Sequence, residues 1–150
     1  MKDLASDIKV TQHFGPAVLS ADQTAVIVDL QGYHSAAILL GIGIGGITFD
    51  TSNYIEFTIA HSDDNSTYTN PTIDDLMGKD IPASIVTGQN SDAVLKSLKA
   101  AHAAAAVYKI GYIGGKRYLR LDIEFTGTHG TGTPIFIATV LGHAEKLKVD

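Results

Sequence analysis

The sequence predicts an all-β fold, an antiparallel β-sandwich of jelly-roll-like character with an extended N-terminal arm. Three observations carry that expectation. Runs of β-branched and aromatic residues recur along the chain between clusters of Gly, Pro, Asn and Asp. Several of these runs alternate apolar and polar side chains, the pattern of a strand with one face on a core. Their number, about seven, suits a sandwich or barrel. No repeat or break in composition divides the 150 residues, which are the size of one ordinary domain.

Residues 1–20 show no sustained period and contain Gly15-Pro16, a loop signal. They read as an arm with a short strand at 8–10. His13, Phe14 and Val18 give it side chains to bury on a neighbouring subunit, and a frayed terminus is the alternative. Residues 21–150 read as a single sandwich domain. Thr24 to Leu30 is a β-branched run closed by a turn at Gln31-Gly32. In Ser35 to Ile44, Ile38, Leu40, Ile42 and Ile44 fall on a core face. Leu39, Gly41, Gly43 and Gly45 oppose them, a flat strip that either receives another segment closely or relieves twist. Asn53 to Ser62 sets Ile55, Phe57 and Ile59 against Glu56, Thr58 and Ala60. His61 continues the inward register as a hydrogen-bonded histidine at a strand end. Residues 62–66 form a polar turn, and 69–89 are rich in loops with a short strand piece at 84–86.

Residues 92–107 admit two readings. Helix propensity is high and Ser91 or Asp92 offers an N-cap. Val94, Lys96 and Leu98 equally form a short strand, followed by a turn or short helix, and the all-β surroundings favour this second reading. Val107 to Ile113 and Lys116 to Phe125 are two β-patterned arms separated only by Gly114-Gly115. That spacing predicts a two-residue hairpin with a I′ or II′ turn. In the second arm Leu119, Leu121, Ile123 and Phe125 alternate with Tyr118, Arg120, Asp122 and Glu124. A Gly/Thr-rich loop leads to Pro134 to Gly142, which is apolar on both faces and so reads as a central strand or one covered by a partner. Glu145 to Asp150 is a charged tail.

Composition narrows the function classes. Hydrophobic residues make up 45% and charged residues 18%, a globular chain with fewer charges than usual. A net charge of −5 argues against direct nucleic-acid binding, and Lys116-Arg117 with Arg120 is too short a basic stripe to follow a phosphate backbone. The chain has no cysteine, which removes disulfides, thiolate metal sites and cysteine nucleophiles. No secretory signal is visible, and the longest apolar stretch, Ala36 to Ile47, is glycine-broken and short of the roughly 20 residues that span a bilayer. The expectation is a soluble protein without membrane contact.

No catalytic constellation emerges. Gly41-Ile-Gly-Ile-Gly-Gly46 matches G-x-G-x-x-G in letters, but β pattern continues where a dinucleotide site needs a helix. Gly114-Gly-Lys116 lacks the spacing and hydroxyl residue of a P-loop. Asp63-Asp64-Asn65 reads as an Asx-type turn, without the alternating ligands of a calcium loop. The six histidines are scattered singly, no G-x-S-x-G elbow exists, and Asp122 and Glu124 sit together on open strand. Catalytic, cofactor and metal residues are therefore assigned to none, and the chain is expected not to be an enzyme.

A resemblance sharpens this. The order Val28-Asp-Leu-Gln-Gly-Tyr33, then Glu56 to Asp64, then Tyr108-Lys-Ile-Gly-Tyr-Ile-Gly-Gly-Lys-Arg-Tyr-Leu-Arg120, then Ile137-Ala-Thr-Val-Leu-Gly-His143 resembles small structural proteins of tailed bacteriophages and related gene-transfer particles. The resemblance implies a virion component, assembled in the host cytoplasm, that decorates or cements the capsid. Its partners would be the major capsid protein or neighbouring virion subunits, with self-association into a homo-oligomer. A head–tail junction or head-spike base is the variant placement. A carbohydrate-binding adhesion module is the alternative, weakened by the absence of Trp and by six tyrosines on no obvious common platform. The residues expected at partner contacts are His13, Phe14, Lys116, Arg117 and Arg120.

Overall fold

The computed structural model describes residues 4–145 and contains nine strands. They are β1 (Ile8–Leu19), β2 (Val26–Asp29), β3 (Tyr33–Ile42), β4 (Tyr54–Ser62), β5 (Leu76–Met77), β6 (Ala93–Leu98), β7 (Ala106–Tyr112), β8 (Tyr118–Thr126) and β9 (Thr133–Ala144). Two antiparallel sheets result, a first with strand order β1-β9-β3-β7-β5 and a second with order β2-β8-β4-β6. The expected β-sandwich is present.

The chain doubles back across residues 63–92 into a long ribbon. β1 pairs with β9, β2 with β8, β3 with β7 and β4 with β6. Successive ribbon segments fall alternately into the two sheets, and the ribbon meets itself at β3–β9 and β4–β8. Period-two alternation then places one face of every strand inside. Ile38, Leu40 and Ile42 of β3, Ile110 and Tyr112 of β7, and Ile135, Ile137 and Leu141 of β9 meet Ile55, Phe57 and Ile59 of β4 and Leu119, Leu121 and Ile123 of β8. Burying each such side chain is worth about 2 kcal/mol.

Several expectations hold. β9 is a central strand between β1 and β3. Residues 93–98 form a strand followed by an irregular connection, and no α-helix occurs among the described residues. His61 points inward, with Nδ1 2.9 Å from the Tyr112 hydroxyl of the opposite sheet. Asp64 accepts the amides of Ser66 and Thr67 at 2.9 and 2.8 Å, the Asx-type turn.

Other expectations are corrected. Gly114-Gly115 is not a hairpin turn: β7 and β8 belong to different sheets, and neither glycine has a positive φ. Residues 113–117 cross between the sheets, held by Ile113 N–H to Asp75 O at 2.8 Å and Leu30 N–H to Arg117 O at 2.9 Å. Alternation within an arm specifies which face is buried, not which strand lies alongside. β7 gains ladders on β3 and β5, and β8 on β2 and β4.

The segment expected as an arm is, from Ile8 to Leu19, an edge strand paired with β9 well beyond the strand expected at 8–10. Register shifts between Gln12 and Phe14 and between Phe14 and Ala17 break its alternation, which is why the sequence shows no period there. Ile44, expected in the core, is 61% exposed because β3 ends at Ile42. Glu124, expected on an open strand face, is buried, as are Glu56, Thr58 and Ala60 on the face of β4 that opposes Ile55, Phe57 and Ile59. The loop of residues 78–91 lies over them, bringing Gly88 against Thr58 and Glu56. Residues 84–86 form no strand; a single bridge pairs Thr87 with Ala93. The glycine strip of β3 is approached closely by this chain's own Phe136 over Gly41 and Pro134 over Gly43. Beyond Glu145 the charged tail lies outside the described residues.

The crossover geometry makes a sharp prediction. A Cβ on Gly114 would fall 2.5 Å from the Tyr112 hydroxyl and 2.8 Å from Asp75 Oδ1, whereas one on Gly115 meets nothing within 4 Å. Gly114→Ala is expected to lower unfolding stability by about 1–3 kcal/mol, and Gly115→Ala to leave it unchanged or raise it by up to about 1 kcal/mol. Denaturant titration of both variants measures this; a I′ hairpin would instead make both costly.

Candidate functional site

The residues expected at partner contacts are mostly engaged within the chain. His13 Nε2 lies 2.9 Å from Thr139 Oγ1, and burial lowers its pKa, favouring the neutral imidazole. Phe14 sits opposite Ile137 and packs on the core margin. Lys116 pairs with Asp63. Arg117 holds Asp29 through two bonds of 2.9 and 2.8 Å and also reaches Gln31 Oε1 at 2.6 Å. Arg120 grips Asp92 at 2.7–3.1 Å and lies over the Tyr68 ring. Lys116 and Arg117 thus serve the sheet crossover, while Arg120 serves the loop over the second sheet. They are three neutralised pairs, not one free basic patch.

The outer face of the second sheet carries most of this charge. Glu56 and Glu124 stand directly opposite each other, with Thr58 opposite Asp122 and Ala60 opposite Arg120 in the rows beside them. Lys99 meets Glu56 at 2.9 Å. Burial pushes the Glu124 carboxyl up, with repulsion from Asp122 adding to it and the Asn90 and Gln89 amides opposing. Asp122 is raised for the same first reason, partly offset by Arg120. A polar cleft of about 520 Å³ opens at one end of the sandwich, where Tyr33, Asp63, Lys116 and Arg117 line the β2–β3 turn and the crossover.

The outer face of the first sheet is the opposite case. Pairing fixes it row by row across β1, β9, β3 and β7. One row reads Gln12, Ala138, Leu39, Lys109, and the next reads Val10, Val140, Ala37, Gly111. A third sets Phe136 beside Gly41 and Val107. Lys109 is the only charged side chain in these rows. Val10 and Val107 are 62% and 65% exposed, and Met77, paired beside Gly111, is 57% exposed. Leu39, Ala37 and Val140 are half-buried and Ala138 is 2% exposed, and an apolar depression of about 330 Å³ lies beside Phe136, between Pro134 and Val107. The sequence hinted at this face through β9, apolar on both sides. Its continuity with β3, β1 and β7 depends on long-range pairing and was not legible.

The tyrosines form no open platform. Lys96 covers Tyr108, Lys99 covers Tyr54, Arg117 covers Tyr118 and Arg120 covers Tyr68, each within 4.3–4.7 Å of the ring centre. Tyr112 is 1% exposed. Among the described residues no three His, Asp or Glu side chains converge as a metal site. The fold and its surfaces define an all-β sandwich with one charged, covered face and one mostly apolar face that carries a single cation, Lys109. Compared with protein-family models, curated proteins and solved structures, the chain matches none.

Two predictions follow from the charged face. The Asp92 side chain is 8% exposed, so removing its partner strands a buried charge. Arg120→Ala is expected to cost about 2–3 kcal/mol in denaturant titration, while Arg117→Ala, at an exposed pair, leaves the midpoint near the native one. For Glu124, a carboxyl whose folded pKa is raised binds its proton more readily folded than unfolded. Its cost therefore appears as pH rises through the unfolded value of about 4.3 and is complete above the folded value. Glu124→Gln is expected to melt above the native chain at pH 7, with the difference shrinking as pH falls toward about 4. Parallel melts across that range check the sign.

Proposed function

We propose that this chain is a non-catalytic structural subunit of a tailed-bacteriophage or related gene-transfer particle. In this reading it binds the capsid surface and stabilises or decorates the head, with the outer face of its first sheet as an assembly surface between subunits. The major capsid protein or neighbouring virion subunits are its partners, and the virion is where it acts. The observation that carries the reading is the largely apolar face of Val10, Val140, Ala37, Leu39 and Val107, with Lys109 its one charge, because an apolar surface of this kind marks an interaction site. The family resemblance adds the virion, and its quoted segments map onto β2, β4, β7 with the start of β8, and β9.

The jelly-roll-like description rests on the winding of the ribbon, β1 with β9 through β4 with β6, spread alternately over two sheets. Such windings occur in viral capsid and lectin domains alike. The cation-covered tyrosines favour the capsid side of that choice over a sugar platform. A cementing subunit works by adding buried area across capsomer boundaries, so that internal pressure must break more interface, and symmetry multiplies a modest contribution per copy.

Particles purified from the strain that encodes this chain are expected to contain it, and particles lacking it to release their contents at lower temperature. Leu39→Glu, on the open face, is expected to reduce co-sedimentation while leaving the circular dichroism spectrum native. Particles that assemble with no copy of the chain would overturn the proposal.

A further inference from the structure

We infer that the outer face of the first sheet packs against the same face of a second copy of this chain. The two-fold axis lies in the interface, parallel to the strands and between β3 and β9. This rests on the reading of that face as an assembly surface and names its occupant.

Area is the first argument. Four strands about 4.8 Å apart and up to about 12 residues long, at about 3.4 Å per residue, present roughly 700 Å². Specific stable interfaces bury about 600–1,000 Å² per partner. The face reaches the lower part of that range when nearly all of it is used.

Complementarity is the second. Rotation about this axis sets each β3 position against β9 of the other copy, and each β7 position against β1. Within the rows fixed by pairing, Leu39 then meets Ala138, Ala37 meets Val140, and Gly111 meets Val10. Every one of these rows places a larger side chain over a smaller one, the interdigitation that two sheets about 10 Å apart require. Phe136 already leans across Gly41 of its own sheet, so the two phenyl rings come side by side near the axis.

Charge selects the axis. Lys109, the one cation of these rows, comes opposite Gln12 at the rim, where an amide oxygen can accept from it. A two-fold running across the strands through that row would set Lys109 on Lys109 and Leu39 on Leu39. The parallel axis avoids both. No acidic residue lies in these rows to match a basic partner, and a single cation gives little hold on an acidic one.

The test uses the isolated full chain. Sedimentation velocity is expected to give a dimer, with Leu39→Glu and Val140→Glu weakening it by about a hundredfold or more. Val86→Glu, exposed on the loop over the second sheet, keeps the dimer. Because the chain has no cysteine, Gln12→Cys and Lys109→Cys give clean cross-linking probes. A short bis-maleimide is expected to join the two variants when mixed and to join neither to itself. A monomer at concentrations on the order of 100 μM, or a dimer indifferent to Leu39→Glu, overturns the inference. Self-linking of either cysteine variant overturns the axis. A monomer that still sediments with particles removes the two-fold and leaves the particle reading; a dimer that never does so upholds the pairing and removes the particle.

Discussion

Tyr112 places a hydroxyl in the hydrocarbon between the two sheets, and one end of the sandwich is built to satisfy it. The side chain is 1% exposed, and its oxygen meets His61 Nδ1 at 2.9 Å and accepts the Lys116 amide at 3.2 Å. A buried hydroxyl left without partners costs about 1–3 kcal/mol, so the contacts are obligatory rather than ornamental. Burial pushes the tyrosine up to about 12 and the histidine down, which keeps both uncharged near neutral pH. One bond ties β7 to β4 across the sandwich. The other draws the Lys116 amide inward where the chain leaves the first sheet, and leaves no room for a side chain at Gly114. With the crossover fixed, β7 falls between β3 and β5, and β8 between β2 and β4.

That placement decides the character of both outer faces. On the second sheet it brings Glu56 opposite Glu124 and sets Arg120 where it can reach Asp92. Burial and the neighbouring Asp122 push the Glu124 carboxyl up, and the loop of residues 78–91 closes over this cluster instead of leaving it to water. Lys99 and Arg120, which neutralise part of the cluster, are thereby committed to the fold. The first sheet receives almost no charge. A chain with only 18% charged residues has spent many of them closing one face, and the other stays mostly apolar.

Strand identity and inward residues were legible because alternation is local: β2, β3, β4, β8 and β9 lie where their patterns predicted. Neighbour relations were not. Gly114-Gly115 carried a strong hairpin signal, yet the energy of pairing lay with distant strands. Lys116, Arg117 and Arg120 look like a basic cluster because their partners Asp63, Asp29 and Asp92 come from three other places in the chain. Leu39 and Ala138 look like an unremarkable pair of apolar residues until β3 and β9 are laid side by side. A surface made by pairing is invisible to any window that sees one strand at a time.

The edges of the sheets also constrain how copies can meet. Sheets associate through their edges when an edge strand offers a long, regular row of free N–H and C=O groups. Among the described strands, β5 spans only Leu76–Met77 and β2 only Val26–Asp29. The remaining edge, β6, is met by the chain's own loop, through the Thr87–Ala93 bridge and Val94 N–H to Val86 O at 2.8 Å. β1 is long, but two register shifts kink it and Pro16 has no N–H to offer. Regular strand addition along β1 is therefore interrupted at its centre. Side chains of the open face face no such obstacle, since the period-two rows of β9 and β3 run unbroken from Ser35 opposite Gly142 to Gly41 opposite Phe136. The fold thus closes the edge route, which leads to open-ended stacking, and leaves the face route, which a two-fold can close.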